Sequence, residues 1–145
     1  MLNVFKMKIE SIGNISRLSA VQRIPIGIEE AWDFFSNPKN LATITPDKLN
    51  FRILSDVGSK IFAGQLIHYA VNPLPLYSTN WLTEITYVEE QRYFVDEQRF
   101  GPYELWHHKH FFKSIPGGVE VTDIVDFKIP FKLIGRTIFG RLIKK

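Results

Sequence analysis

Three runs of alternating residues carry the side chains of this sequence that could hold, donate or accept a proton. Residues two apart on a strand share a face. Phe94, Asp96, Gln98 and Phe100 therefore form one row, and Trp106, His108, His110 and Phe112 a second. In a third row, Val121, Asp123, Val125, Phe127 and Ile129, a single carboxylate interrupts apolar neighbours. A three-residue turn at Gly101-Pro102-Tyr103 would put Phe100 opposite Glu104, Gln98 opposite Trp106 and Asp96 opposite His108. A turn centred on Pro116-Gly117 would put His110 opposite Asp123. The registers predict two adjacent carboxylate–imidazole pairs on the floor of a pocket, and a one-residue slip would turn a whole row to the other face.

Such pairs can do three things. They can satisfy each other's hydrogen bonds inside the sheet, meet the polar end of a ligand in an otherwise apolar cavity, or act as general acid and base with a carboxylate orienting the imidazole. The candidate ligand-binding residues are Asp96, Gln98, Trp106, His108, His110 and Asp123, joined by Tyr69 (with Ile67 and Val71) and Trp81 (with Thr83 and Ile85) from preceding strands. No catalytic residue is assigned. Alternation splits the run His107-His108-Lys109-His110 and leaves only His108 and His110 together, without a third ligand at a recognised zinc spacing, so no metal is expected. The glycines are scattered rather than gathered into a phosphate loop, no G-x-S-x-G elbow occurs, and no cofactor is expected.

These side chains need strands to hold them. Asn14 to Ile24 mixes β-branched and polar residues and stops at Pro25, as a strand would. Ile28, Ala31, Trp32 and Phe35 then fall at helical spacing, with Glu29 and Glu30 in the first turn where the helix dipole favours negative charge. Asn37-Pro38 suits the start of a second short helix ending before Pro46. Further strands are expected at about 50–55, 64–71, 78–88, 91–100, 104–113 and 119–129, mostly antiparallel because the connections are too short for parallel crossovers. Residues 1–12 read as a loose arm. From Phe131 to Lys145 a helical period returns, with Ile134, Ile138 and Leu142 on one side.

The expected architecture is α+β: one domain over residues 1–145, with a curved antiparallel sheet wrapped around a C-terminal helix and two short helices after the first strand. A strongly curved sheet leaves a cavity beneath the helix. Aromatic residues make up 14% of the chain, which excludes a disordered composition, and the absence of cysteine excludes disulfides, thiolate metal sites and cysteine nucleophiles. No signal-peptide core and no spanning apolar run is present, and a cytoplasmic location is expected. The net charge of +3 comes from the tail. Residues 1–126 carry twelve basic against fifteen acidic residues, so nucleic-acid binding is not expected. Lys132, Arg136, Arg141, Lys144 and Lys145 crowd the terminal helix, where they are either solvated or make peripheral contact with an anionic membrane.

The stretch from Phe94 to Phe112, F-V-D-E-Q-R-F-G-P-Y-E-L-W-H-H-K-H-F-F, resembles the SRPBCC superfamily of START and polyketide-cyclase type, especially bacterial ligand-binding members of unknown ligand. Ile24-Pro25 leading to Glu30, Trp32 and Phe35 adds to the likeness. So do Asn37-Pro38-Lys39-Asn40-Leu41, Trp81 with Thr83 and Ile85, Gly117-Gly118, and Asp123 with Val125, Phe127 and Pro130. It spans about residues 14–141. The resemblance implies a helix-grip fold with an internal cavity for a small hydrophobic molecule such as a lipid, isoprenoid or polyketide. Its members include carriers, sensors, cyclases and chaperone-binding proteins, and fold alone does not choose among them. Binding as a carrier or sensor is the leading expectation. A cyclase or dehydratase using the pocket His and Asp, and a module docking a membrane or partner, are the alternatives.

Overall fold

The structure, a computed structural model, describes residues 5–45, 47–74 and 76–130. Eight antiparallel strands form one curved sheet: β1 (Phe5–Ile12), β2 (Ile15–Ile24), β3 (Arg52–Ile53), β4 (Leu66–Leu74), β5 (Tyr77–Glu89), β6 (Tyr93–Phe100), β7 (Leu105–Ile115) and β8 (Gly118–Lys128). Their order is β1-β2-β8-β7-β6-β5-β4-β3, so the only neighbours not joined by a consecutive connection are β2 and β8. Between β2 and β3 lie α1 (Ile28–Phe35) and α2 (Leu41–Ile44), with 3₁₀ turns at Pro38–Asn40 and Asp47–Leu49. Asn37 caps the first of these turns, its side-chain oxygen accepting from the Lys39 N–H at 3.0 Å, with Pro38 at the first position. Among the described residues, no helix is long and apolar enough to cross a membrane. The terminal helix expected over residues 131–145, with its basic flank, lies outside the described residues.

Residues 5–12 correct the expectation of a loose arm: they form an edge strand paired over its whole length with β2, from Phe5 opposite Gln22 to Ile12 opposite Ile15. Two local signals account for it. Phe5, Met7 and Ile9 alternate with Lys6, Lys8 and Glu10, and Gly13-Asn14 is a two-residue hairpin loop in which Gly13 takes φ +59°. The two short helices consequently follow the second strand rather than the first.

The two faces of the sheet differ. One carries Leu18, Ala20, Tyr69, Trp81 and Val125 in one apolar cluster and Phe94, Phe112 and Val121 in another. The other is laced with ion pairs, among them Arg17 bidentate to Asp126 at 2.6 and 2.8 Å, Arg99 with Glu84, and Arg23 with Glu120. α1 closes one end of the apolar face. Its Trp32 is 6% exposed and meets Phe94 and Phe112 edge-on at 5.7 and 5.1 Å, while Ala31 is fully buried. Irregular pairing of β5 with β6 between Ile85 and Tyr87, and of β4 with β5 after Val71, bends the sheet around this face.

The β7–β8 hairpin fixes the register that matters most. Pro116 and Gly117 form its two-residue loop, with Gly117 at φ +84° and Ile115 opposite Gly118. Gly118 faces the end of β2 so closely that a Cβ there would overlap the Ile24 carbonyl oxygen. Gly118→Ala is accordingly expected to lower stability by about 1–3 kcal/mol through forced backbone movement, and Trp32→Ala by about 3–5 kcal/mol through the void it leaves. Urea denaturation checks both, and an unchanged midpoint for Gly118→Ala would show that β2 and β8 do not approach this closely.

Candidate functional site

The apolar face bounds a cavity of about 550 Å³, in the range that small-molecule sites occupy. β2, β4 and β5 supply apolar walls through Leu18, Ala20, Ile67, Val71 and Ile85, and the stretch from Phe34 to Thr45 forms the rim. Polar groups are concentrated on β6, β7 and β8. Asp96 sits opposite His108, and His110 opposite Asp123, as the turn positions predict.

The shortest hydrogen bonds run along the diagonals of this square, not across the rungs. His110 Nε2 donates to Asp96 Oδ2 at 2.6 Å, and His108 Nε2 donates to Asp123 Oδ1 at 2.8 Å. His110 Nδ1 also lies 3.2 Å from Asp123 Oδ1, whereas His108 Nδ1 is 3.8 Å from Asp96 Oδ2, beyond hydrogen-bonding distance. The two imidazoles stack on each other with centroids 3.5 Å apart, and Phe94 covers the other face of His110 at 4.0 Å. Four side chains from three strands thus form a closed cluster in which each carboxylate faces both imidazoles.

Burial would strip a proton from His110, but hydrogen bonds to Asp123 and Asp96 and the charge of both carboxylates outweigh it, raising its pKa to about 9. Burial likewise opposes the ionised form of Asp123, and the hydrogen bonds from His108 and His110 overcome it, holding Asp123 well below the usual carboxylate range. Asp96 is lowered in the same way against its burial, by His110, by the charge of His108 and by a hydrogen bond from Trp106. Tyr69 is raised far above a free phenol, first by burial, and its hydroxyl shares a hydrogen bond with Thr83 at 3.2 Å. Trp81 stacks on Tyr69 at 5.6 Å, and its buried indole N–H has no hydrogen-bond partner among the described residues.

Seven of the eight residues singled out from sequence line the cavity: Tyr69, Trp81, Asp96, Trp106, His108, His110 and Asp123. Gln98 does not. Its amide donates to the Tyr103 carbonyl at 2.6 Å and accepts from the Tyr103 N–H at 3.1 Å, closing the connection between β6 and β7. The pairing of β6 with β7 ends at Glu97 opposite His107, so the predicted Gln98–Trp106 and Phe100–Glu104 rungs do not form. Sequence reading missed Phe5, Met7 and Gln22 at the cavity wall. The alternation in residues 5–9 was the available signal.

No family model matches the sequence, and no curated protein matches it. Solved structures do match in fold. Protein CV1439 of Chromobacterium violaceum superposes with a TM-score of 0.67 at 14% identity, over 90% of this chain and 90% of that one. A START superfamily protein of Mycobacterium smegmatis gives 0.66 at 11% identity over 88% and 87%. The major latex-like protein 151 of Panax ginseng gives 0.64 at 13% over 90% and 92%. The chain therefore shares the helix-grip fold of these proteins.

The cluster predicts a pH profile of stability. A raised His110 pKa stabilises the fold fully below its ordinary value of 6.5, and that contribution is lost as pH rises through about 9. The lowered Asp96 and Asp123 contribute above their ordinary value of 3.8 and lose that contribution as pH falls through their folded values. Urea midpoints are expected to peak between about pH 4 and 6.5 and to decline towards pH 9, and His110→Gln should remove the alkaline decline.

Proposed function

We propose that this chain binds one small, mainly apolar molecule in the cavity, with a polar end turned towards Asp96, His108, His110 and Asp123, and that it acts as a carrier or sensor. The observation that carries the reading is the distribution of chemistry in the cavity: apolar and aromatic walls on β2, β4 and β5, with charged groups gathered on one floor. That is the pattern by which apolar surface supplies affinity and a few polar groups fix orientation. Covering about 200 Å² of ligand hydrocarbon contributes about 5 kcal/mol before the cost of lost motion. The walls therefore dominate affinity and the floor selects. The Trp81 N–H, without a partner among the described residues, is a donor to which a ligand carbonyl or ether would be matched. Lipids, isoprenoids and polyketide-like aromatics fit these terms.

One observation favours a second reading, acid–base catalysis of the cyclase or dehydratase type. His108 is held by Asp123 through Nε2 while its Nδ1 has no carboxylate within hydrogen-bonding distance, an arrangement suited to a base.

Native mass spectrometry of protein purified from its own cells, followed by denaturing extraction, is expected to release one stoichiometric hydrophobic molecule. A neutral phenylnaphthylamine dye should compete with that molecule and quench tryptophan emission, because Trp81 and Trp106 line the cavity. Ala20→Trp, which fills the space, is expected to weaken dye binding at least about tenfold. An empty protein that also fails to bind the dye, or an Ala20→Trp variant that binds like the parent, would overturn the binding reading. Turnover abolished in His108→Ala with dye binding intact would favour the catalytic one.

A further inference from the structure

We propose that Asp96, His108 and His110 form a site for one divalent transition-metal ion on the cavity floor, with Asp123 positioning both imidazoles. Spacing alone brings only two imidazoles together. The pairing of β6 with β7 adds the third donor, because Asp96 stands directly opposite His108. One donor atom from each of the three side chains lies within 4.8 Å of the other two. On the Asp96 side, Asp96 Oδ2 is 2.6 Å from His110 Nε2 and 3.8 Å from His108 Nδ1.

The opposite nitrogens are fixed by one carboxylate. His108 Nε2 and His110 Nδ1 both point to the same atom, Asp123 Oδ1, at 2.8 and 3.2 Å. With the far N–H of each ring given to Asp123, His108 Nδ1 has no carboxylate within hydrogen-bonding distance, and His110 Nε2 offers its lone pair once the proton it gives Asp96 is displaced. That is how ligating histidines are oriented in metal centres. Two carboxylates converge on the two rings in a half-buried, apolar setting, and on the Asp96 side a divalent ion would take the place of the proton between His110 Nε2 and Asp96.

The donor set selects the ion. Two imidazole nitrogens and one carboxylate suit Zn²⁺, Co²⁺, Ni²⁺ or Fe²⁺ and do not suit Mg²⁺ or Ca²⁺, which prefer all-oxygen shells. Three protein ligands leave at least one coordination position open, and here it would face the cavity, where a ligand oxygen or water could occupy it. In the metal-free cluster the His110 Nε2 proton fills the space between that nitrogen and Asp96, so binding displaces a proton and tightens as pH rises. The inference stands apart from the proposed apolar ligand, since the titration below needs none.

The test uses the full chain without a histidine tag, stripped with EDTA and titrated with Zn²⁺ by calorimetry and with Co²⁺ by visible absorption. One ion per chain is expected, with Co²⁺ d–d bands of a four- or five-coordinate site and no competition from excess Mg²⁺. His110→Ala and Asp96→Asn should weaken binding at least about 100-fold, and Asp123→Asn about 10- to 100-fold. His107→Ala, on the charged face, should leave it unchanged. Asp96→Asn keeps the side-chain shape, so it serves where His110→Ala fails to fold. Absence of saturable one-to-one binding, or equal losses in His107→Ala and Asp96→Asn, would overturn the proposal. Dye binding retained in such a metal-free protein would leave the cavity reading intact.

Discussion

Two imidazoles stacked between two carboxylates, on the apolar side of a sheet, are the constraint around which this protein is organised. None of the four could be buried alone, because an isolated charge or an unpaired ring nitrogen in such a setting costs several kcal/mol. Together they satisfy one another, but only if β6, β7 and β8 hold one register. A slip of one residue on any of the three would send Asp96, the His108–His110 pair or Asp123 to the charged face. The Pro116-Gly117 loop, the Gln98 clasp on Tyr103 and the close approach of Gly118 to Ile24 all act on that register.

The remainder of the sheet divides labour by face. Arg17, Arg99 and Arg23 pair across strands on the outside with Asp126, Glu84 and Glu120, where solvent weakens the exposed pairs. Inside, Trp32 wedges between Phe94 and Phe112 and seals one end, so that the space left by curvature opens over the polar floor. Phe94 belongs to both systems: it packs on Trp32 and stacks on His110. Core packing and the chemistry of the cluster are therefore mechanically coupled through one ring.

Similarity of fold at 11–14% identity says how the chain is built and leaves open what it does. Function has to be argued from the cavity. An acceptor-rich floor with a raised histidine, an indole donor without a partner among the described residues and apolar walls favours a molecule with a short polar end on a hydrocarbon or aromatic body. A metal at Asp96, His108 and His110 would change the polar end that is preferred, from a hydrogen-bond donor to an oxygen ligand.

Local pattern alone was enough to place most strands, the amphipathic helix around Trp32, and the opposition of Asp96 to His108 and of His110 to Asp123. Alternation and turn residues are local properties, and they fix which face a side chain occupies. The same rules, applied to Phe5, Met7, Ile9 and Gly13-Asn14, specify the edge strand over residues 5–12. Other features were decided only by three-dimensional arrangement. Gln98 lies on the right face, but β6 stops pairing with β7 at Glu97, and its amide turns to the backbone of Tyr103. The hydrogen bonds of the cluster follow the diagonals because side-chain rotamers, not strand register, choose between neighbours at similar distances. The third donor beside His108 and His110 comes from another strand. The spacing of residues within one strand cannot reveal a partner that only sheet formation brings within reach.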